Sequence, residues 1–479
     1  MTIIKNNKIL IFLGLYFLIK IFSYFFSPNT PLYSANPINT LVSILILGIT
    51  SYFLIKKNQL GWIIIAGEII LGGGGGYFQI LGISLRTLLL IFSITIYFFQ
   101  NFQFSIFNFQ TISNFSIFKK LTTPYLLLTS LLLWGVISAI NGLYNGHAIL
   151  NVYSDFIPYL YLLYFFPLRE LLKNQQFKNT AWKMLIASII GNTVFILFIF
   201  FTFSSEIFIL QENFYYWYRQ IALGKITDTG TGFFRVVLDE HLLLIPIALL
   251  VIGKILRFAQ NDIKNNNHYY LLNTLYFLAL IILSINITRI YLLALFVGYL
   301  FLFSKKYWKR WIKYGVLTGV IFLISFSSLN LIASKGSTMG FELLLSRLNS
   351  IVSPTTELSS LSRMLLLPEI IEKIKEHPIL GSGLGDAVTV YSPVLDSEIT
   401  TPHFDWGYLE IFAEMGLVGL IIWLSLIIYI FKNSKNKTLH SLLLALLIIN
   451  ITSPALFHSL GIILFIFILS KQYDRDSSK

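Results

Sequence analysis

Apolar runs follow one another along this chain with only short polar links between them. A helix needs about 20 apolar residues to cross a bilayer, and lipid offers the backbone no hydrogen-bond partners, so the pattern permits a bundle of spanning helices and little else. Candidate spans lie at 9–26, 39–55, 61–81, 87–100, 121–140, 153–167, 184–204, 233–252, 270–288, 290–304, 314–332, 406–431, 440–454 and 456–470. Composition agrees. Of 479 residues 56% are hydrophobic and 12% charged, and the mean hydropathy of +0.74 lies outside the range of a water-soluble domain of this size. The expected fold class is an all-α polytopic integral membrane bundle of about 12–14 transmembrane helices with one long, partly helical extracytoplasmic loop.

The net charge of +13 sits in short basic clusters between the apolar runs. Lys5 and Lys8, Lys56 and Lys57, Lys119 and Lys120, Arg169 to Lys183, Lys254 to Lys264, Lys305 to Lys313, Lys432 to Lys437 and Lys471 all fall on one side of the predicted topology. This is the positive-inside pattern; it places both termini in the cytoplasm and makes nucleic acid an unsuitable partner. The first run has no small-residue cleavage site after Phe26 and reads as a retained helix. Three regions result: 1–332 with helices and short loops, the extracytoplasmic loop 333–405, and 406–479 with the last helices and a cytoplasmic tail. The absence of cysteine excludes disulfides and thiolate metal sites.

The loop of roughly 70 residues is the one long polar excursion. Phe341 to Ile351 and Leu358 to Ile374 carry apolar faces at helical spacing, the second introduced by Thr355 or Thr356 and expected to kink at Pro368. The loop then runs through His377-Pro378-Ile379-Leu380-Gly381-Ser382-Gly383-Leu384-Gly385-Asp386 to Pro402-His403-Phe404-Asp405-Trp406-Gly407. Glycines at 381, 383 and 385 allow sharp turning, but without the lysine of a P-loop they do not make a nucleotide site. Five further glycines, Gly72 to Gly76, either break a helix to line a cavity, with Glu68 before them and Arg86 after, or pack closely with Glu68 satisfied locally.

Three arginines stand at outer ends of apolar segments rather than in basic clusters. Arg235 opens the predicted 233–252 helix, Arg289 follows Asn286-Ile287-Thr288, and Arg363 lies on a loop helix. Charges at that depth require anionic partners. Asp239 and Glu240 are close in sequence to Arg235, which leaves an internal ion pair open beside an external diphosphate gripped by guanidinium forks.

These pieces, in this order, resemble the O-antigen ligase and polymerase superfamily of bacterial envelope enzymes. The resemblance rests on Thr229 to Arg235, Ile287-Thr288-Arg289, Arg363, His377 to Gly385, Tyr408-Leu409-Glu410-Ile411-Phe412-Ala413-Glu414-Met415-Gly416-Leu417-Val418-Gly419 and Asn450 to Pro454. It implies a multi-pass enzyme of the bacterial inner membrane, active on the outer face. Such an enzyme moves glycan from a polyprenyl-diphosphate-linked oligosaccharide to a hydroxyl of a glycan or glycolipid acceptor, with no cofactor and no metal. Arginines would hold the diphosphate, here Arg235, Arg289 and Arg363. A histidine four residues before the leucine of the Tyr-Leu-Glu segment would assist the acceptor; Asp405 stands at that place here, with His403 two residues earlier.

Asp405 and His403 are accordingly the candidate catalytic pair, with Asp405 as proton acceptor. The alternative for Asp405 is a plain helix N-cap. Glu240 and Glu414 are possible supporting groups, Glu414 more as a brace for an arginine or the glycine-packed helix. A lipid-linked glycan flippase or transporter and a non-catalytic envelope assembly protein remain alternatives, although the chain shows no duplicated halves. The topology has a direct check, since the chain has no native cysteine. Single cysteines at Ser337 and Ser392 should react with a membrane-impermeant maleimide added outside intact spheroplasts. Labelling only after lysis would invert the topology.

Overall fold

The computed structural model describes residues 7–28, 36–101, 123–204, 212–257, 267–352, 358–392 and 396–476. Helices come first as α1 (Asn7–Phe25), α2 (Pro37–Ile55) and α3 (Gln59–Leu71), then a two-residue hairpin β1 (Gln79–Ile80) and β2 (Ile83–Ser84), then α4 (Leu85–Asn101). There follow α5 (Thr123–Tyr144), α6 (Ile149–Leu160), α7 (Phe165–Leu171), α8 (Gln175–Ser204) and α9 (Glu212–Gln220). Strands β3 (Lys225–Asp228) and β4 (Phe234–Val237) precede α10 (Leu244–Arg257), α11 (Asn267–Asn286), α12 (Arg289–Phe301) and α13 (Trp308–Ala333). The predicted loop holds α14 (Phe341–Val352), α15 (Leu358–Glu376) and the hairpin β5 (Val388–Ser392) and β6 (Ser397–Thr401); α16 (Gly407–Asn433), α17 (Lys437–Thr452) and α18 (Ser459–Asp476) close the chain.

Among the described residues eight helices are long and apolar enough to span a bilayer, and five shorter ones are apolar along their length. The protein is an all-α polytopic membrane bundle. Local sequence sets the ends. Asn36 and Asn58 cap α2 and α3 by accepting from the amides of Ile38 and Leu60, with Pro37 at the first turn of α2. Helix α3 stops at Leu71 because the glycine run begins there, so the expected 61–81 span is shorter than predicted. Arg86 satisfies the exit. Its Nε donates to Glu68 Oε2 at 2.8 Å and its Nη2 to the Gly73 carbonyl at 2.8 Å, and the arginine is buried.

The 233–252 span is corrected more deeply. Residues 234–237 are a strand paired antiparallel with 225–228, Asp239–Leu243 is a 3-10 turn, and helix begins only at Leu244. Gly230 and Gly232, at φ 81° and 79°, form the hairpin bend, and the β-branched and aromatic run Phe-Arg-Val-Val suits a strand. In the loop, α14 and α15 lie where the apolar faces indicated, and Pro368 is accommodated inside α15. The hairpin β5–β6 was not anticipated. Thr355, Thr356, Lys119, Lys120 and Asn261 to Asn266 lie outside the described residues.

The chain divides into two units, residues 1–97 with 170–344 and residues 98–169 with 345–479. In the first, α8 runs past α1, α3 and α11 over a core rich in aromatics, including Tyr16, Tyr77, Phe200, Trp217, Phe233 and Phe326. In the second, α16 packs against α5, α15 and α17, and a smaller cluster of Leu366, Ile370, Val388, Phe404 and Ala413 sits beneath the β5–β6 hairpin.

Candidate active site

The His377–Asp386 segment turns out to be structural in a specific way. Residues 381–386 are all buried, and Gly381, Gly383 and Gly385 have φ of 80°, 96° and 80°. A Cβ at Gly381 would stand 2.3 Å from the Glu414 carbonyl oxygen, one at Gly383 2.1 Å from the Gly142 nitrogen of α5, and one at Gly385 2.4 Å from the Val152 nitrogen of α6. The loop backbone therefore threads between three helices where no side chain fits. It needs that depth because α16 is broken at Gly416 (φ 65°, ψ −171°), which frees backbone groups that lipid could not satisfy. The loop supplies their partners: Ser382 N donates to Ala413 O (2.8 Å), Gly383 N to Glu414 O (3.0 Å), and Leu417 N donates in return to Pro378 O (3.0 Å). Trp134 Nε1 takes the Met415 carbonyl at 2.8 Å.

Glu414 completes this joint. Its Oε1 accepts from Gly385 N at 3.0 Å and Asp386 N at 3.1 Å, so it braces the glycine loop. Asp386 in turn accepts from Lys373 Nζ of α15 at 2.7 Å. Asp155, one turn beyond Val152 on α6, is buried with Glu410 and Glu414 and went unnoticed in the sequence; a lone carboxylate inside an apolar run was the available signal.

The corner after β6 carries the predicted pair. Thr401 Oγ1 accepts from His403 N (3.2 Å) and donates to His403 O (3.1 Å), while Phe404 is buried in the cluster under the hairpin. That anchor holds His403 and Asp405 on either side of it. Asp405 has φ 57°, a left-handed conformation that costs a non-glycine residue about 1 kcal/mol or more and that Asp and Asn tolerate best. Trp406, not Asp405, is the N-cap residue of α16, and it makes no side-chain cap. The capping explanation for Asp405 is thereby removed. Its Oδ2 instead faces Arg363 Nε at 3.7 Å, and Trp406 Nε1 holds the Arg363 carbonyl at 3.0 Å. With side-chain exposures of 28% and 43% this pair adds little stability; it orients two charged groups. Loss of water around His403 pushes its imidazole below the ordinary 6.5, Asp405 opposes this and His458 reinforces it. A neutral, proton-accepting imidazole results near pH 7.

Arg235 and Arg289 both lie in the other unit. Arg235, half-buried on β4, donates from Nε to Asn286 O and from Nη2 to Thr288 Oγ1, both at 2.7 Å. It thus clasps the junction between α11 and α12, where Ile287 is buried with φ 37°. Thr288 is the N-cap residue of α12 without a side-chain cap, because its hydroxyl donates to Asn286 Oδ1, and Arg289 is the first helical residue. The Arg235 guanidinium thus stands by a helix N-terminus that begins with Arg289 and whose N-cap residue makes no side-chain cap, a combination suited to phosphate. Arg235 does not open a helix as predicted. Glu240 lies elsewhere, accepting from Tyr16 Oη at 3.0 Å and from buried Lys20 Nζ at 3.3 Å, and Lys20 also donates to Tyr77 Oη at 2.7 Å. Lys20 went unnoticed in the sequence, although a lone lysine inside the first apolar run is the same kind of signal that Asp155 gives.

Residues 274–424 match a family model described as O-antigen ligase. The match covers about a third of the 479 residues and makes this segment similar to the O-antigen ligase family. No curated protein and no solved structure matches the chain. The O-antigen ligase match takes in Arg289, Arg363, His403, Asp405, Glu414 and the whole glycine loop; Arg235 and Glu240 precede it.

The joint at Gly416 generates a test. Glu414→Gln keeps a carbonyl oxygen for the Gly385 and Asp386 amides and should leave the melting temperature in detergent close to native. Glu414→Ala orphans both amides and should cost about 2–4 kcal/mol, seen as a melting temperature lower by several degrees. Equal melting of the two variants would remove Glu414 from the joint.

Proposed function

We propose that this membrane protein is a glycosyltransferase that joins the glycan of a polyprenyl-diphosphate-linked oligosaccharide to a hydroxyl of a glycan or glycolipid acceptor. The observation that carries this reading is the Arg235–Asn286–Thr288 clasp beside Arg289 at the uncapped start of α12. When the bond between the anomeric carbon and the phosphate oxygen breaks, its electron pair goes to the diphosphate. Two guanidinium forks and the first amides of α12 stabilise the charge that develops there. The acceptor oxygen forms the new bond to the anomeric carbon, and its proton passes to Asp405, with His403 as partner or alternative base. Arg363 holds the Asp405 carboxylate in orientation and is a further candidate contact for the donor. The chemistry requires neither a nucleotide sugar nor a metal. With both termini in the cytoplasm, the reaction takes place on the outer face of the bacterial inner membrane.

Arg289→Lys keeps the charge but not the planar fork, so turnover should fall at least about tenfold at normal protein level. Unchanged donor affinity and turnover in that variant would defeat the diphosphate assignment. Asp405→Asn tolerates the same left-handed backbone but cannot accept the proton, and transfer should fall by about a hundredfold. His403→Ala separates the two bases by pH. If His403 is the base, the wild-type rate rises with pH through a value below 6.5 and is flat above it, and the variant loses that limb. A profile unchanged in His403→Ala together with a large loss in Asp405→Asn assigns the base to Asp405. Near-normal transfer in both variants would exclude this corner.

A further inference from the structure

Register places the residues of β5–β6 on two distinct faces. Thr389 pairs with Thr400 and Tyr391 with Glu398, and all four are exposed; Val388 pairs with Thr401 and Val390 with Ile399 on the opposite face. That second face is seated, with Val388 fully buried and Val390 packed in the cluster of Leu366, Ile370 and Phe404. The first face is therefore held rigidly against α15 and presented outward.

Its chemistry is unusual for an unpaired hairpin. Exposed strand edges are generally protected by lysines, prolines or inward-pointing charges. Among the described residues of the two strands Glu398 is the single charged one, with Asp396 in the turn between them; the outward face otherwise offers a tyrosine ring and threonine hydroxyls. Tyr391 is 55% exposed, and its hydroxyl is held by the Asp396 carboxylate, which fixes the ring's polar end. Thr389 and Thr400 hydroxyls bond to each other at 2.8 Å. A rigid amphipathic ring beside small hydroxyls is the composition that binding surfaces use for polar ligands. A sugar ring complements it, with a C–H face for the aromatic ring and hydroxyls that donate to Glu398 and exchange hydrogen bonds with the threonines. The hairpin also leads into the candidate site along the chain, since Thr401 at the end of β6 holds both backbone groups of His403.

We infer that the outward face of β5–β6 is a saccharide-binding subsite, with Tyr391 as platform and Thr389, Glu398 and Thr400 as hydroxyl partners, that holds glycan units beyond the reacting one. The inference rests on the glycosyltransferase reading but is tested by binding alone. The probe is the oligosaccharide released by mild acid from the lipid-linked glycan of the producing cells, titrated into the full-length protein in lipid nanodiscs and followed by saturation-transfer NMR. Saturable binding is expected, weakened about tenfold in Tyr391→Ala and retained in Tyr391→Phe and Tyr391→Trp, which keep a ring. Thr389→Val with Thr400→Val should weaken binding without altering the melting temperature, because both side chains are exposed. No saturable binding to the native protein, or equal affinity in Tyr391→Ala, would overturn the subsite. Failure of the transferase reading would look different: the oligosaccharide would bind as described while no glycan was transferred.

Discussion

A spanning helix that breaks in the middle exposes peptide groups to a medium that cannot hydrogen-bond them, and each left unsatisfied costs several kcal/mol. Helix α16 breaks at Gly416, and the chain answers with its own backbone, inserting Pro378 to Asp386 so that amides and carbonyls on both sides of the break find partners. The three glycines follow from this requirement. Each faces the backbone of a different helix at a separation that a methyl group would violate. The sequence His-Pro-Ile-Leu-Gly-Ser-Gly-Leu-Gly thus serves as an internal splint, with Glu414 holding it from the side.

Fixing the splint fixes what leads into and out of it. Through the Asp386–Lys373 pair the loop is tied to α15, which carries Arg363, and the β5–β6 hairpin resting on α15 delivers His403 and Asp405. Asp405 is then held in a left-handed conformation with its carboxylate facing a guanidinium. The arginine group obeys the same logic in another place. Arg235 does not float in an anionic pocket; it is fastened to Asn286 and Thr288 and so comes pre-oriented beside Arg289. Side chains locked before substrate arrives lower the cost of ordering them in the transition state.

The spans were legible because apolar length is the property that a bilayer selects; Arg289, Arg363 and Glu414 became candidates because a charge at the end or inside of an apolar run demands a reason, and Asp405 through the resemblance at its place before Tyr408-Leu409-Glu410. Hydropathy could not separate strand from helix in Phe234 to Val237, where two glycines and a paired partner strand decided the outcome. The start of α16 lies one residue later than the expected 406, which makes Trp406 the N-cap residue and leaves the capping alternative for Asp405 without support. Lys20 with Glu240, and Asp155 with Glu410 and Glu414, come together across large sequence distances, and no local pattern announces such meetings. The glycine loop was recognised as a turn, but its role as partner to a broken helix depends on Gly416, whose φ no single sequence reveals.

Chemistry at the anomeric carbon has a stoichiometric signature that tests the account most directly. Purified full-length protein in liposomes, supplied with a chemically defined polyprenyl-diphosphate-linked oligosaccharide and an acceptor glycan, should release one polyprenyl diphosphate for each new glycosidic bond, counted by mass spectrometry. Recovery of the lipid-linked oligosaccharide intact, whether left in place or moved to the opposite leaflet, would contradict it.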